Sequence, residues 1–202
     1  MKTIAWFYQN TSIKNEEFRL YLDIIKESSQ QKIFPELYLI MQNPGSCANT
    51  EKNYNKEVLI RPDATTHRVI GLLNALERLN YIRILNLSDL VNPKGIDFFS
   101  KLPIIEKKIS KSHTLFDNSR RTELDNLMKD ESLVYFACGV NKKIENLKFS
   151  ALEVLKEKRI KILNGKFEFY HPLTRPNKKL IKGWKFQAAK DLNHLFSYSL
   201  RE

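Results

Sequence analysis

Apolar positions fall in two patterns along the chain. Four short runs predict buried strands: Leu37–Met41, Tyr81–Leu87, Leu133–Ala137 and Lys166–Tyr170. Each is aliphatic or aromatic and stops at polar or turn-forming residues. In the last run Lys166 and Glu168 alternate with aromatics, so it reads as the most exposed of the four. Between the runs, helical spacing predicts Glu16–Gln30, with Phe18, Leu20, Tyr21, Leu22, Ile24 and Ile25 on a broad stripe. It also predicts Ala64–Asn80, with Val69, Ile70, Leu72, Leu73, Leu76 and Leu79, where Pro62 and Asp63 supply a start. Lys142–Lys158 and the tail Ile181–Leu195 complete the set, and Asn92–Ser132, broken by Pro93, Gly95 and Pro103, reads as a loop with one or two helices. Strands alternating with helices predict an α/β fold in one domain over residues 1–202, with a central, mainly parallel four-stranded sheet between two helical layers.

Composition narrows the class. An apolar fraction of 42% excludes a disordered chain. No apolar run approaches the roughly 18 residues that a membrane span needs, so no membrane partner is expected. Met1–Asn10 lacks the pattern of a signal peptide. Two cysteines, Cys47 and Cys138, cannot form a four-cysteine metal site within one chain and argue against a disulfide framework. His67, His113 and His194 show no ligand spacing, so neither a metal nor another cofactor is expected. A cytoplasmic monomer is the expectation.

Charge adds a partner. Residues 1–100 carry 12 basic and 11 acidic side chains, whereas residues 101–202 carry 22 and 12. Between Lys142 and Lys190, 14 Lys and Arg face 4 Glu, with Phe167, Phe169, Tyr170, Trp184 and Phe186 interleaved. That composition suits either a solvated face or a nucleic-acid backbone.

In α/β sheets, ligands gather beyond the carboxyl ends of the strands. Four segments qualify: Gln42-Asn43-Pro44-Gly45, Asn86-Leu87-Ser88-Asp89, Cys138-Gly139 and His171-Pro172-Leu173-Thr174-Arg175. Their order and placement resemble the motifs of the uracil-DNA glycosylase superfamily, in which a G-Q-D-P-Y or G-I-N-P-G motif, an L-L-L-N strand end and an H-P-S-P-L-S motif follow one another. The chain is also similar to a bacterial and phage family with an M-L-N-P-S-T signature and a late H-P-L motif. The resemblance spans about Leu37 to Arg175.

The resemblance implies a DNA glycosylase that flips a base out of duplex DNA and hydrolyses its bond to deoxyribose. Asn43 matches the residue that positions water, and His171 the one that donates a hydrogen bond to the departing base. Gln42, Gly45 and Asn86 match residues around the base. Gly45 stands where uracil-specific relatives carry a tyrosine, which implies room for a 5-substituted pyrimidine such as a hydroxymethylated or glucosylated cytosine of phage DNA, and a role in phage defence. Leu173 or Arg175 would fill the vacated stack, while Lys178, Lys179 and Lys182 hold phosphates. Other readings stay open: a binding module of the same fold without turnover, a mismatch uracil or thymine glycosylase, or an enzyme on free nucleosides. Read by themselves, Asn43 and Asn86 are also ordinary turn residues, Gly45 a tight-turn glycine and His171 a structural histidine. Asp63, Thr66 and Arg68 read as the capped start of a helix near the first motif, Tyr54 as a stacking residue and Asp89 as a cap.

Overall fold

The computed structural model describes residues 1–27, 34–47, 49–130, 132–158, 160–163 and 183–198. Its elements are β1 (Lys2–Tyr8), β2 (Phe18–Ile25), β3 (Leu37–Met41), β4 (Lys56–Leu59), α1 (Ala64–Ala75), β5 (Tyr81–Asn86), α2 (Gly95–Ile109), α3 (Arg121–Leu127), β6 (Leu133–Phe136), α4 (Glu145–Glu157), β7 (Lys161–Leu163) and α5 (Gly183–Tyr198). The α/β class matches the sequence pattern, but the sheet does not. It has seven strands in the order β4-β1-β2-β5-β3-β6-β7. β1 pairs antiparallel with β4 and β2, and β2 antiparallel with β5, whereas β3 runs parallel to β5 and β6, and β6 parallel to β7. The expected mainly parallel four-stranded sheet is therefore a seven-stranded mixed one.

The predicted strands at Leu37, Tyr81 and Leu133 are present as β3, β5 and β6. The run Lys166–Tyr170 lies outside the described residues; the strand seen on that edge is β7. The predicted helix Glu16–Gln30 is corrected: Phe18–Ile25 is a strand. Every residue from Phe18 to Ile24 is buried, because β2 lies between two strands and is covered on both faces. Such a strand is apolar without alternation, and a short apolar run of this kind cannot be told from a buried helix by periodicity.

Helices cover both faces of the sheet. α2, α3 and α4 pack Phe98, Leu102, Leu124, Leu147 and Leu155 over one face. α1 and α5 pack Val69, Leu72, Leu73, Ala188 and Leu192 over the other. α1 starts where its cap predicts, the Asp63 carboxylate accepting the Thr66 N–H at 2.8 Å. Among the described residues no helix is long and apolar enough to cross a membrane.

A buried ion pair joins β2 to β5. Asp23 and Arg83 are direct cross-strand neighbours. Arg83 Nε donates to Asp23 Oδ1 at 2.7 Å and Nη2 to Oδ2 at 2.8 Å. Tyr81 Oη donates to Asp23 Oδ2 at 2.6 Å, and the guanidinium sits 4.2 Å from the centroid of the Tyr21 ring. Burial alone would lower the Arg83 pKa, but bonding and charge pairing with Asp23 raise it above the ordinary value.

Candidate active site at the carboxyl ends of β3 and β5

The parallel register places Met41 beside Asn86, so the segments that follow β3 and β5 leave the sheet side by side. Main-chain bonds then stitch them together: Leu87 N–H to Met41 O at 2.8 Å, Ser88 N–H to Gln42 O at 3.1 Å, and Asn92 N–H to Pro44 O at 3.0 Å. Between them and the start of α1 opens a cleft of about 200 Å³, whose walls include Arg19, Gln42, Asn43, Gly45, Asp63 and Asn92. Three of the expected residues, Gln42, Asn43 and Gly45, thus meet in one cleft.

Asn43 is held firmly. Its Nδ2 donates to Asn92 O at 2.7 Å and to Pro44 O at 3.0 Å. Both amide protons are therefore committed to main chain, which fixes Oδ1 as an acceptor. Gln42 Nε2 donates to that oxygen at 2.9 Å, and a carbonyl oxygen has a second lone pair to offer a water. This arrangement serves a turn and a water-positioning group equally.

Asn86 lies on the sheet face that carries Ile84 and Met41, both in the cleft wall. It is 1% exposed and is not itself part of that wall. Neither its Nδ2 nor its Oδ1 has a hydrogen-bond partner among the described residues. A buried amide with both ends unpaired is costly and rare in native proteins.

Gly45 does something different from leaving space. A Cβ built there would stand 2.8 Å from Asp63 Oδ2. The glycine admits the Asp63 carboxylate, so the room beside it is already filled by this chain. Asp63 Oδ2 accepts the Ser46 N–H at 3.1 Å, and Oδ1 accepts both the Thr66 N–H and hydroxyl at 2.8 Å. Burial opposes ionisation of Asp63, but those bonds and the charge of Arg19 hold its pKa below the usual carboxylate value. Capping is thus its structural task, as the sequence suggested, and it lines the cleft as well.

Sequence reasoning missed Arg19 and Asn92. Arg19 reaches the cleft through a β-bulge: Trp6 pairs with Tyr21 but Phe7 with Arg19. The extra residue, Leu20, breaks strict alternation, so Leu20 and Tyr21 both join the core under α2 and Arg19 turns to the other side. Asn92 acts through its main-chain oxygen, which no side-chain pattern announces.

His171, Leu173, Arg175, Lys178, Lys179 and Lys182 lie outside the described residues. Tyr54 does not line the cleft. Cys47 is buried, with Sγ 3.1 Å from Thr66 Oγ1, and burial pushes its thiol pKa up, against the opposing charge of Arg19, which does not suit a nucleophile. Gly139, after β6, has φ of 87°, a conformation suited to glycine.

A second polar cluster braces the loop behind the cleft. The fully buried Asp89 carboxylate accepts from Arg120 Nη1 at 2.6 Å and from Tyr8 Oη at 2.8 Å. This is a core ion pair rather than the expected helix cap. Two residues of the same loop tie it to neighbours: Asp89 N–H donates to His113 O at 2.7 Å, and Ser88 Oγ lies 2.9 Å from His113 Nδ1. Burial raises the Asp89 pKa from the ordinary 3.8 to about 6 in spite of Arg120. Burial, with the repulsion of Arg120, lowers that of His113 from 6.5 to about 4.

The two groups pull stability in opposite directions. Asp89 favours the folded state below pH 3.8 and loses that contribution as pH rises through about 6. His113 favours it above pH 6.5 and loses that contribution as pH falls through about 4. Each is on the order of 3 kcal/mol and they largely cancel in the wild type. Urea unfolding between pH 4 and 7 should therefore separate the variants. Asp89→Asn loses stability in acid more steeply than wild type, and His113→Gln gains stability in acid relative to wild type. Parallel pH profiles for all three proteins would refute this.

Compared with known protein families, curated proteins and solved structures, the chain has no match.

Proposed function

We propose that the chain is a DNA glycosylase, with one extruded pyrimidine base held in the cleft at the ends of β3 and β5. The observation that carries this reading is the pinned Asn43, its oxygen held as an acceptor just past the end of β3, beside the end of β5 where the Asn86 amide is buried and unpaired among the described residues. An amide with a free donor and a free acceptor matches the edge of a nucleobase. A cleft of about 200 Å³ is smaller than the roughly 300–1,000 Å³ usual for drug-sized ligands and suits a single ring. For Asn86 to touch that ring, the cleft floor beside Met41 must open slightly.

Four adjacent parallel strands, β5, β3, β6 and β7, support a glycosylase-like core in this reading, with β1, β2 and β4 as an antiparallel extension. The ten-charge basic surplus of residues 101–202 supports a phosphate-backbone partner. In the proposed reaction Asn43 Oδ1 orients water toward the sugar carbon while the carbon–nitrogen bond breaks. An asparagine cannot act as a strong base, so the reaction depends on stabilising the base as it leaves. The proposed substrate class is a pyrimidine of DNA; Asp63 fills the corner beside Gly45, so a 5-substituent would have to point elsewhere in the cleft.

Incubation of the protein with duplexes carrying uracil, thymine mispaired with guanine, 5-hydroxymethyluracil, 5-hydroxymethylcytosine or glucosylated cytosine, followed by alkali, tests the reading. Strand breaks at the position of one of these bases are expected. Folded protein that binds DNA yet leaves every duplex intact favours a binding module without turnover.

A further inference from the structure

Arg19 is a cation at the cleft without a carboxylate of its own. It is only 4% exposed, yet it forms part of the cleft wall. Among the described residues its guanidinium has no acid within salt-bridge distance, and its Nε has no hydrogen-bond partner. Cys47 and the more distant charges of Asp63 and Asp89 are what face it, and burial lowers its pKa against their opposition. Asp63 acts on Arg19 as a nearby charge and makes no salt bridge to it among the described residues, its carboxylate being hydrogen-bonded to Thr66 and Ser46. A buried arginine keeps its charge, and a buried charge without a close partner is expensive.

An anion in the cleft would relieve that cost, and the proposed chemistry makes one. We infer that Arg19 receives the negative charge that departs with the base, an assignment that rests on the glycosylase reading. When the N1–C1′ bond breaks, its electron pair stays with the base and spreads onto the ring carbonyl oxygens. The water oxygen bonds to C1′, one water proton goes to solvent, and the released base takes a proton back from solvent. A guanidinium offers donors only, so it matches a base edge of carbonyl oxygens and deprotonated nitrogen, and it is worth more to the anion than to the neutral ring. The substrate class that fits is a uracil-type base with two carbonyls, in preference to a cytosine-type base with an exocyclic amine.

Calorimetric titration of the whole protein with two free bases tests this without turnover. 5-Nitrouracil is an anion at pH 7 and uracil is neutral. The wild type should bind the nitro anion about tenfold more tightly or better. Arg19→Gln should bind the two alike, and Arg19→Lys should keep part of the preference. Equal binding by the wild type, or a preference that survives in folded Arg19→Gln, overturns the role of Arg19 and leaves the nucleobase reading intact. Binding of neither base by the folded wild type overturns both. The wild-type comparison stands even if Arg19→Gln does not fold.

Discussion

Asn43→Ala should lower the rate of base release by roughly 10²–10³-fold, the usual effect of deleting one preorganised polar group from a reaction centre. It removes the acceptor that would orient water and also frees two main-chain oxygens, Asn92 O and Pro44 O, that hold the cleft walls together. The more informative variant is Asn43→Asp. By chemistry alone a carboxylate is the better base and should speed the reaction. The geometry says otherwise. An aspartate would set an anionic oxygen where Nδ2 now donates to two carbonyls, turning two attractions into repulsions. Asn43→Asp should therefore be slower than wild type and less stable, by about 1–3 kcal/mol for the lost bonds. Single-turnover cleavage assays beside urea unfolding would read both effects. A faster, equally stable Asn43→Asp would show that the two carbonyl contacts do not govern this residue.

Arg83→Met should destabilise the fold by about 3–5 kcal/mol, the usual consequence of removing one partner from a buried ion pair. Asp23 would be left 2% exposed between strands, with the Tyr81 hydroxyl alone to offset its charge. The double variant Asp23→Leu, Arg83→Met should recover much of the loss, because no buried charge remains. Urea midpoints of the single and double variants separate the two cases. A single variant within 1 kcal/mol of wild type would mean that water reaches Asp23 readily.

This ion pair also explains why the first third of the fold was hard to read. Arg19 and Asp23 look like the polar face of an amphipathic helix when Phe18–Ile25 is scanned in isolation. In the sheet they are buried side chains of a strand, and what acts on them comes from distant parts of the chain: Cys47 and the charge of Asp63 on Arg19, and the Arg83 guanidinium on Asp23. β4 was invisible for the opposite reason: of Lys56–Leu59 only Val58 is buried, and pairing with β1 rather than local pattern makes it a strand. β3, β5 and β6 were legible because short apolar runs ended at polar residues, and α1 because Asp63 announces its start.

The candidate site was legible to the same degree. Gln42, Asn43 and Gly45 stand where a strand gives way to Pro-Gly, and all three line the cleft. The meaning of Gly45 was not, since the neighbour that requires it, Asp63, lies 18 positions onward along the chain. Arg19 was missed because one extra residue in β2 decides which face it takes, and a bulge has no composition of its own here.

The most direct test is a crystal structure with a duplex carrying 5-hydroxymethyluracil on a 2′-fluorinated sugar that resists hydrolysis. The extruded base should occupy the cleft, one carbonyl toward Arg19 and a water on Asn43 Oδ1 beneath the sugar carbon. A base still stacked in the duplex, with DNA bound on a face away from the ends of β3 and β5, would contradict the account.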